Sequence, residues 1–383
     1  MELANDVLKK YWGHSSFRVP QKEIIDAVLS GKDVLALLPT GGGKSVCFQL
    51  PTLILEGVCI VITPLIALMQ DQVTQLKSRG ISAYAVHSGM SYREIDITLD
   101  NCVYGKVKFL YLSPERLLTE LFRERFKKMN VCLVAIDEAH CISQWGYDFR
   151  PPYLQIAELR EINPKVPFIA LTASATRMVK VDITERLKLQ NPSVFQRSVV
   201  RENLSFVVRK TENKEKKLLE VLRKVQGTAI VYVRSRKATQ DLSRWLNKQG
   251  IKSTFYNAGL THEERSGRQQ EWLSDHVRVM VSTNAFGMGI NKADVRTVVH
   301  MDIPENLEAY YQEAGRAGRD GKRAFAVLIF HDADALALDH KIQQSQPSLE
   351  YLRKIYQALS NYYQLALGSG LGESFDFELE DFC

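Results

Sequence analysis

The sequence predicts an α/β protein of two similar domains, each a parallel sheet flanked by helices, followed by a short C-terminal helical extension. The first observation is a series of apolar runs rich in Val, Ile and Leu, at Val34–Leu38, Val58–Ile62, Val107–Leu112, Val131–Ile136 and Pro167–Leu171. They are continuous rather than alternating, as strands buried on both faces are. The second is that segments with helical spacing, such as Leu65–Leu76 and Pro114–Phe126, lie between them. Strand–helix alternation of this kind builds a parallel sheet with helices on both faces. The third is that the pattern restarts at Thr228–Val233, Lys252–Tyr256, Val277–Val281, Thr297–Asp302 and Ala324–Phe330.

Between the two series, Arg197 to Lys217 is dense in charge and holds Asn203 and Asn213, so it reads as a domain link. This places one domain over residues 1–205, a second over 206–342 and an extension over 343–383. In the extension, Leu349, Leu352, Ile355, Leu359, Tyr362 and Leu365 have the spacing of one helix, Leu349–Leu367. Beyond it Phe375-Asp376-Phe377-Glu378-Leu379 alternates, and the extension reads as a divergent ending, a chain cut short, or both.

At 383 residues the chain is long enough for two or three cores, and with 45% hydrophobic and 25% charged residues its composition is ordinarily globular. No apolar stretch is long enough to span a bilayer, and Met1-Glu2-Leu3-Ala4-Asn5-Asp6 lacks the layout of a secretion signal. The six cysteines (Cys47, Cys59, Cys102, Cys132, Cys141, Cys383) are scattered, with no C-x-x-C pair. They read as reduced, mostly core residues rather than a zinc site or a disulfide framework. The net charge is +6, and the last eleven residues hold five acids and no Lys or Arg, so the remainder is more basic still. A basic body favours a polyanionic partner.

The chemistry is carried by two segments. Pro39-Thr40-Gly41-Gly42-Gly43-Lys44-Ser45 follows the first apolar run. A glycine-rich turn after a strand can aim several backbone N–H groups at a phosphate, with Lys44 as a point charge and the Ser45 hydroxyl as a Mg²⁺ ligand. Leu38 stands where the strict phosphate-loop pattern has its first glycine. About a hundred residues on, Val134-Ala135-Ile136-Asp137-Glu138-Ala139-His140 ends a strand with two carboxylates. There Asp137 would hold Mg²⁺ and Glu138 would polarise the attacking water. Together they point to an NTPase. The second half has no phosphate loop, but Tyr311-Gln312-Glu313-Ala314-Gly315-Arg316-Ala317-Gly318-Arg319-Asp320-Gly321 sets two arginines three apart on one face of a helix end. Such arginines can reach the γ-phosphate from across a cleft, and a finger of this kind is worth roughly 10³–10⁵ in rate.

With these motifs in order, the chain resembles a superfamily 2 helicase, and more narrowly the RecQ family of DNA helicases, from about Trp12 to His331. The resemblance implies two RecA-like domains. Phe17-Arg18-Val19-Pro20-Gln21 matches the adenine-reading motif, with Gln21 on the base and Arg18 against it; His14 stands where many members have an aromatic. Thr63-Pro64-Leu65 and Ser113-Pro114-Glu115-Arg116 match the motifs that hold the DNA backbone. Leu171-Thr172-Ala173-Ser174-Ala175-Thr176 matches the motif coupling hydrolysis to domain movement. Ser282 to Lys292 matches the fifth motif, placing Thr283 at DNA and Gly287 and Gly289 at the nucleotide. His140, next to the carboxylates, joins Lys44, Asp137, Glu138, Arg316 and Arg319 as a catalytic candidate.

The family's discriminating segment is His140-Cys141-Ile142-Ser143-Gln144-Trp145-Gly146-Tyr147-Asp148-Phe149-Arg150-Pro151. It carries three aromatics and an arginine on a loop beside the carboxylates. Aromatics on a loop can stack bases for roughly 1–3 kcal/mol each, so Trp145, Phe149 and Arg150 are DNA candidates. Tyr147 replaces the histidine that members usually carry, and the extension lacks the family's four-cysteine zinc module. The resemblance implies an ATP- and Mg²⁺-dependent helicase core moving 3′ to 5′ on single-stranded and tailed duplex DNA, in repair or recombination. A DNA-stimulated translocase that unwinds little, or an RNA helicase, are the alternatives. A monomer working without a membrane is expected, with a single-strand-binding protein as a candidate partner, in the cytoplasm at a bacterial nucleoid or in a eukaryotic nucleus.

Overall fold

A computed structural model describes residues 2–39, 41–145, 148–173, 175–198, 200–284, 286, 292–345, 347–366, 368–369, 375–378 and 382. It divides into two compact units, Met1–Ile329 and Phe330–Cys383. The first unit contains two sheets.

One sheet is built from β1 (Val34–Leu37), β2 (Val58–Ile62), β3 (Ala83–Val86), β4 (Phe109–Leu112), β5 (Val131–Ile136), β6 (Phe168–Thr172) and β7 (Ser193–Gln196), in the order β3-β4-β2-β5-β6-β1-β7. All its neighbours are parallel. The other has β8 (Leu204–Lys210), β9 (Ala229–Tyr232), β10 (Ser253–Tyr256), β11 (Val279–Ser282), β12 (Thr297–His300) and β13 (Ala324–Phe330), in the order β10-β11-β9-β12-β13-β8. Its pairs β10–β11, β11–β9, β9–β12 and β12–β13 are parallel.

The continuous apolar runs are continuous because both faces of each sheet are covered. In β1, Leu35 and Leu37 belong to one core while Val34 and Ala36 belong to another on the opposite face. In β9, Ile230 and Tyr232 divide from Ala229 and Val231 in the same way. Successive strand side chains point to opposite faces, so a helix layer on each side demands an apolar residue at every position. Register then levels the carboxyl ends: Leu37 pairs with Thr172, and Ile62 with both Leu112 and Ile136. The loops that leave β1, β2, β4, β5 and β6 therefore emerge along one edge, where open parallel sheets bind ligands.

Several expectations need correction. Arg197–Lys217 is not only a link, because β8 lies within it and joins the second sheet beside β13. Its exposed charges hid an edge strand, and the expected boundary at 205/206 falls inside it. β3 and β7 were also missed: they sit at the sheet edges and are only partly buried, so they lack the continuous apolar run that marks a central strand. Pro114–Phe126 is not one helix: a 3₁₀ turn at Pro114–Leu118 is separated from the helix Glu120–Lys128 by extended Thr119. The C-terminal helix runs Leu349–Tyr362 and stops short of Leu367, with Gln364 at a positive φ of 54°.

The second unit contains this helix and Asp332–Ser345. Tyr362 packs edge-on against Phe377 and Phe382, and Tyr363 against Phe375. Leu349, Leu352 and Tyr356 are exposed. Of the cysteines, Cys47, Cys59, Cys102 and Cys141 are buried free thiols. No helix among the described residues is long and apolar enough to cross a membrane.

Candidate active site

The glycine-rich turn opens directly after β1. Gly41 and Gly43 have φ of +81° and +77°, a conformation that side-chain-bearing residues rarely adopt. The Gly42 amide donates to the Pro39 carbonyl at 2.8 Å, closing the turn. The helix Gln21–Leu29 braces it from outside. Gln21 Nε2 donates to the carbonyls of Gly43 (3.1 Å) and Gly42 (3.4 Å), and Arg18 Nη1 donates to that of Gly41 (2.9 Å). A Cβ on Gly43 would fall 2.3 Å from Gln21 Nε2, so any larger residue would displace that amide as well as meet the strain of the positive φ. With its oxygen accepting from the Arg18 amide as well, Gln21 is a strut under the cradle here. Thr40 lies outside the described residues.

The two carboxylates meet this turn from β5. Lys44 Nζ lies 3.4 Å from Glu138 Oε1. Glu138 adopts a left-handed backbone, φ 48° and ψ 47°, which costs a side-chain-bearing residue on the order of 1–2 kcal/mol. Its flanks hold it there: the Asp137 amide donates to the Ile62 carbonyl at 2.9 Å, and the Tyr153 hydroxyl to the Asp137 carbonyl at 3.0 Å. Burial and the neighbouring Glu138 charge push the Asp137 carboxyl up to about 6. Burial works on Glu138 in the same direction, but Lys44, His140 and Arg316 outweigh it and hold Glu138 below the usual range. Burial pushes His140 down, against the raising pull of the Glu138 charge. Its Nδ1 is 3.4 Å from Glu138 Oε2 and 2.9 Å from Thr172 Oγ1, which joins the carboxylates to the expected coupling motif.

Arg316 and Arg319 arrive from the second sheet, in the turn after the helix Leu307–Ala314. A Cβ on Gly41 would lie 3.2 Å from Arg319 Cγ, so this side chain rests on the cradle. Burial, then the charges of Arg316 and Arg201, push Arg319 down to about 9. Arg316 is buried and its charge reaches Glu138. A cavity of about 710 Å³ joins these groups and is lined by His14, Arg18, Gln21, Gly41, Gly43, Lys44, Ser45, Asp137, Glu138, Arg316 and Arg319. That volume is in the range of nucleotide-sized ligand sites. The Ser45 hydroxyl and Asp137 carboxylate on its wall are hard oxygen donors. They fit Mg²⁺, which takes few protein ligands and completes its shell with water and substrate phosphate.

The candidate DNA residues are dispersed. Thr63 and Pro64 are buried, as is Thr283, and Ser113 is half-buried. Trp145 is 65% exposed, which excludes the role of a core plug. Phe149 is half-buried. Arg150 ties the loop inward: Nη1 donates to the Pro64 carbonyl at 2.9 Å, while Nε and Nη2 hold Asp148 Oδ2 at 3.2 and 3.1 Å. It links the aromatic loop to the segment after β2. Tyr147, Gly287 and Gly289 lie outside the described residues. The reading of the sequence passed over Gln49 and Gln72, which also line the cavity. A buried polar residue on an otherwise apolar helix face was the available signal.

Residues 18–181 match the DEAD/DEAH box helicase family and residues 213–321 the helicase conserved C-terminal domain. The fold is similar to the Mycobacterium smegmatis helicase Lhr bound to ssDNA and AMP-PNP, with a TM-score of 0.70 and 18% identity, over 86% of this chain and 47% of that one. Fold and site together define a superfamily 2 helicase core of two RecA-like domains. The chain is 44% identical to the ATP-dependent DNA helicase RecQ of Pasteurella multocida over 90% of its own length and 55% of that protein's. It is 38% identical to the probable ATP-dependent DNA helicase RecS of Bacillus subtilis, over 94% of this chain and 73% of RecS. The chain belongs to the RecQ family. It spans about half the length of the RecQ relatives it matches.

Proposed function

We propose that the chain is the ATP-driven motor of a DNA helicase, moving 3′ to 5′ along single-stranded DNA. The observation that carries this reading is one cavity walled by a phosphate cradle, a carboxylate pair and two arginines from a second sheet. Lys44 and the backbone of Gly41 to Ser45 bind the phosphates. Glu138, held ionised, takes a proton from the attacking water, as a carboxylate within reach of a nucleophile does. Arg316 and Arg319 complement charge that develops on the transferred phosphoryl group. Ser45 and Asp137 would hold a Mg²⁺ ion, which would neutralise phosphate charge when bound. Because the two arginines belong to the other sheet, gaining or losing the γ-phosphate changes what holds the sheets together, and this drives stepping. Trp145 and Phe149 sense the strand beside the carboxylates. A motor of this kind acts as a monomer on tailed duplexes in DNA repair or recombination, at a nucleoid or in a nucleus, where a single-strand-binding protein is a natural companion.

The test is ATP turnover with single-stranded DNA, with RNA of the same sequence and with neither, run beside strand displacement on 3′- and 5′-tailed duplexes. DNA should stimulate more than RNA, and the 3′-tailed duplex should be the one opened. Stimulation by RNA alone would make this an RNA motor. Stimulation by DNA without displacement would make it a translocase that does not separate strands.

A further inference from the structure

Asp137 is held at the end of a chain of three buried polar side chains, two of which also line the cavity, that have no part in the chemistry described above. Tyr111 on β4, Gln72 on the helix Ile66–Ser78 and Gln49 on the helix Val46–Ile54 are 0%, 7% and 4% exposed. Gln49 Nε2 donates to the Tyr111 hydroxyl at 3.1 Å. Having accepted there, that hydroxyl donates its own proton to Gln72 Oε1 at 2.9 Å. This orients the Gln72 amide, because its carbonyl faces Tyr111 and its NH₂ must face the other way. There Gln72 Nε2 donates to Asp137 Oδ2 at 3.4 Å. The other carboxylate oxygen, Oδ1, accepts from the Glu138 amide at 3.0 Å.

We infer that the Gln49–Tyr111–Gln72 chain is a positioning device that aims the Asp137 carboxylate at the metal in the nucleotide cleft, which rests on the ATP-dependent reading above. A buried polar chain is cooperative: with every member satisfied it holds one geometry, and with one member missing the rest lose their orientation. Without the Tyr111 hydroxyl, only the Asp137 carboxylate itself is left to orient the Gln72 amide, and the side chain gains freedom to turn away from it. Groups that orient a metal-ligating carboxylate typically matter by roughly 10–100-fold in metal affinity when removed. The helix of Gln72 also follows directly on Thr63-Pro64, so the device joins that segment to the metal site.

The test uses Tyr111→Phe, which removes one oxygen and keeps the ring, and Gln72→Leu, which keeps the shape and removes the amide. Mn²⁺ is titrated as a spectroscopic stand-in for Mg²⁺ into the whole chain with AMP-PNP, and bound ion is followed by electron paramagnetic resonance. Both variants should weaken Mn²⁺ binding by roughly tenfold or more. The double variant should be no worse than Gln72→Leu alone, since Tyr111 acts through Gln72. Unchanged Mn²⁺ affinity in either folded variant overturns the inference, as does additivity in the double. If one variant does not fold by circular dichroism, the other decides. The titration involves no turnover, so an unaltered chain that binds nucleotide and ion without hydrolysing counts against the motor reading alone.

Discussion

The two sheets of the first unit hold their charged groups in opposite ways. In the seven-stranded sheet, Asp137 and Glu138 leave directly from the end of β5, and Lys44 sits in the glycine-rich turn after β1. Their placement follows from register, and buried contacts such as Tyr153 to the Asp137 carbonyl lock it. In the six-stranded sheet, Arg316 and Arg319 sit in a turn between the helix Leu307–Ala314 and β13. That turn is clamped by the segment between the sheets. Arg201 donates to the carbonyls of Gly315 and Gly318, and Asn203 Nδ2 donates to those of Gly318 and Lys322 at 2.8 Å each. Gly318, at φ +62°, must be glycine because a Cβ would meet Asn203 Nδ2 at 2.6 Å and Ala324 Cβ at 2.8 Å. One sheet offers a rigid template; the other offers a turn whose position depends on the connection. In the proposed motor that asymmetry would let one sheet keep hold of the phosphates while the turn on the other responds to the γ-phosphate.

The largest expected effect breaks the arginine side. Arg319→Ala should keep nucleotide binding and lose roughly 10³–10⁵ of DNA-stimulated turnover, as loss of a finger does. A larger loss in Arg316→Ala would reverse the two roles, and no loss in either would end the two-sheet mechanism. Next comes the template side. Glu138→Gln should bind ATP normally, measured with a fluorescent nucleotide, but turn over roughly 10²–10⁴-fold more slowly. Near-normal turnover would remove Glu138 as the base.

A smaller effect is expected at the aromatic loop, which lies outside the comparison and tests whether the template senses DNA. Trp145→Ala should weaken single-stranded DNA binding by roughly 1–3 kcal/mol, the worth of one stacked base. Unaltered affinity there and in Phe149→Ala would leave the loop a structural part only.

The smallest effect sharpens the idea of a rigid template held at a cost. The Asp137 carboxyl sits at about 6 in the folded chain against an ordinary 3.8, because burial disfavours its charge. The folded chain therefore keeps a proton that the unfolded chain releases, and stability falls as pH rises from about 4 to 6. Asp137→Asn should flatten that part of the profile and melt higher than the unaltered chain above about pH 6. Equal melting temperatures across this range would show that Asp137 is not strained by burial.

Read from the chain alone, the central strands, the cradle, the carboxylate pair, the arginine pair and the aromatic loop were all legible, because each is local chemistry. Glycines that permit a positive φ, a strand ending in acids and a continuous apolar run are written within a few neighbouring residues. The edge strands β3, β7 and β8 were not, since each is partly exposed and carries no continuous apolar run, whereas the edge strand β10 is mostly buried and was legible. Nor could sequence show that Arg150 would turn inward to the Pro64 carbonyl, or that Gln21 would brace the cradle. Tertiary structure alone decided that Arg319 lies on Gly41 and that Gln49, Tyr111 and Gln72 form a line ending at Asp137. The physical reason is separation: Lys44 meets Glu138 across 94 positions and Gln72 meets Asp137 across 65. Contacts that distant are set by how the sheets and helices pack, and no short stretch of sequence contains them.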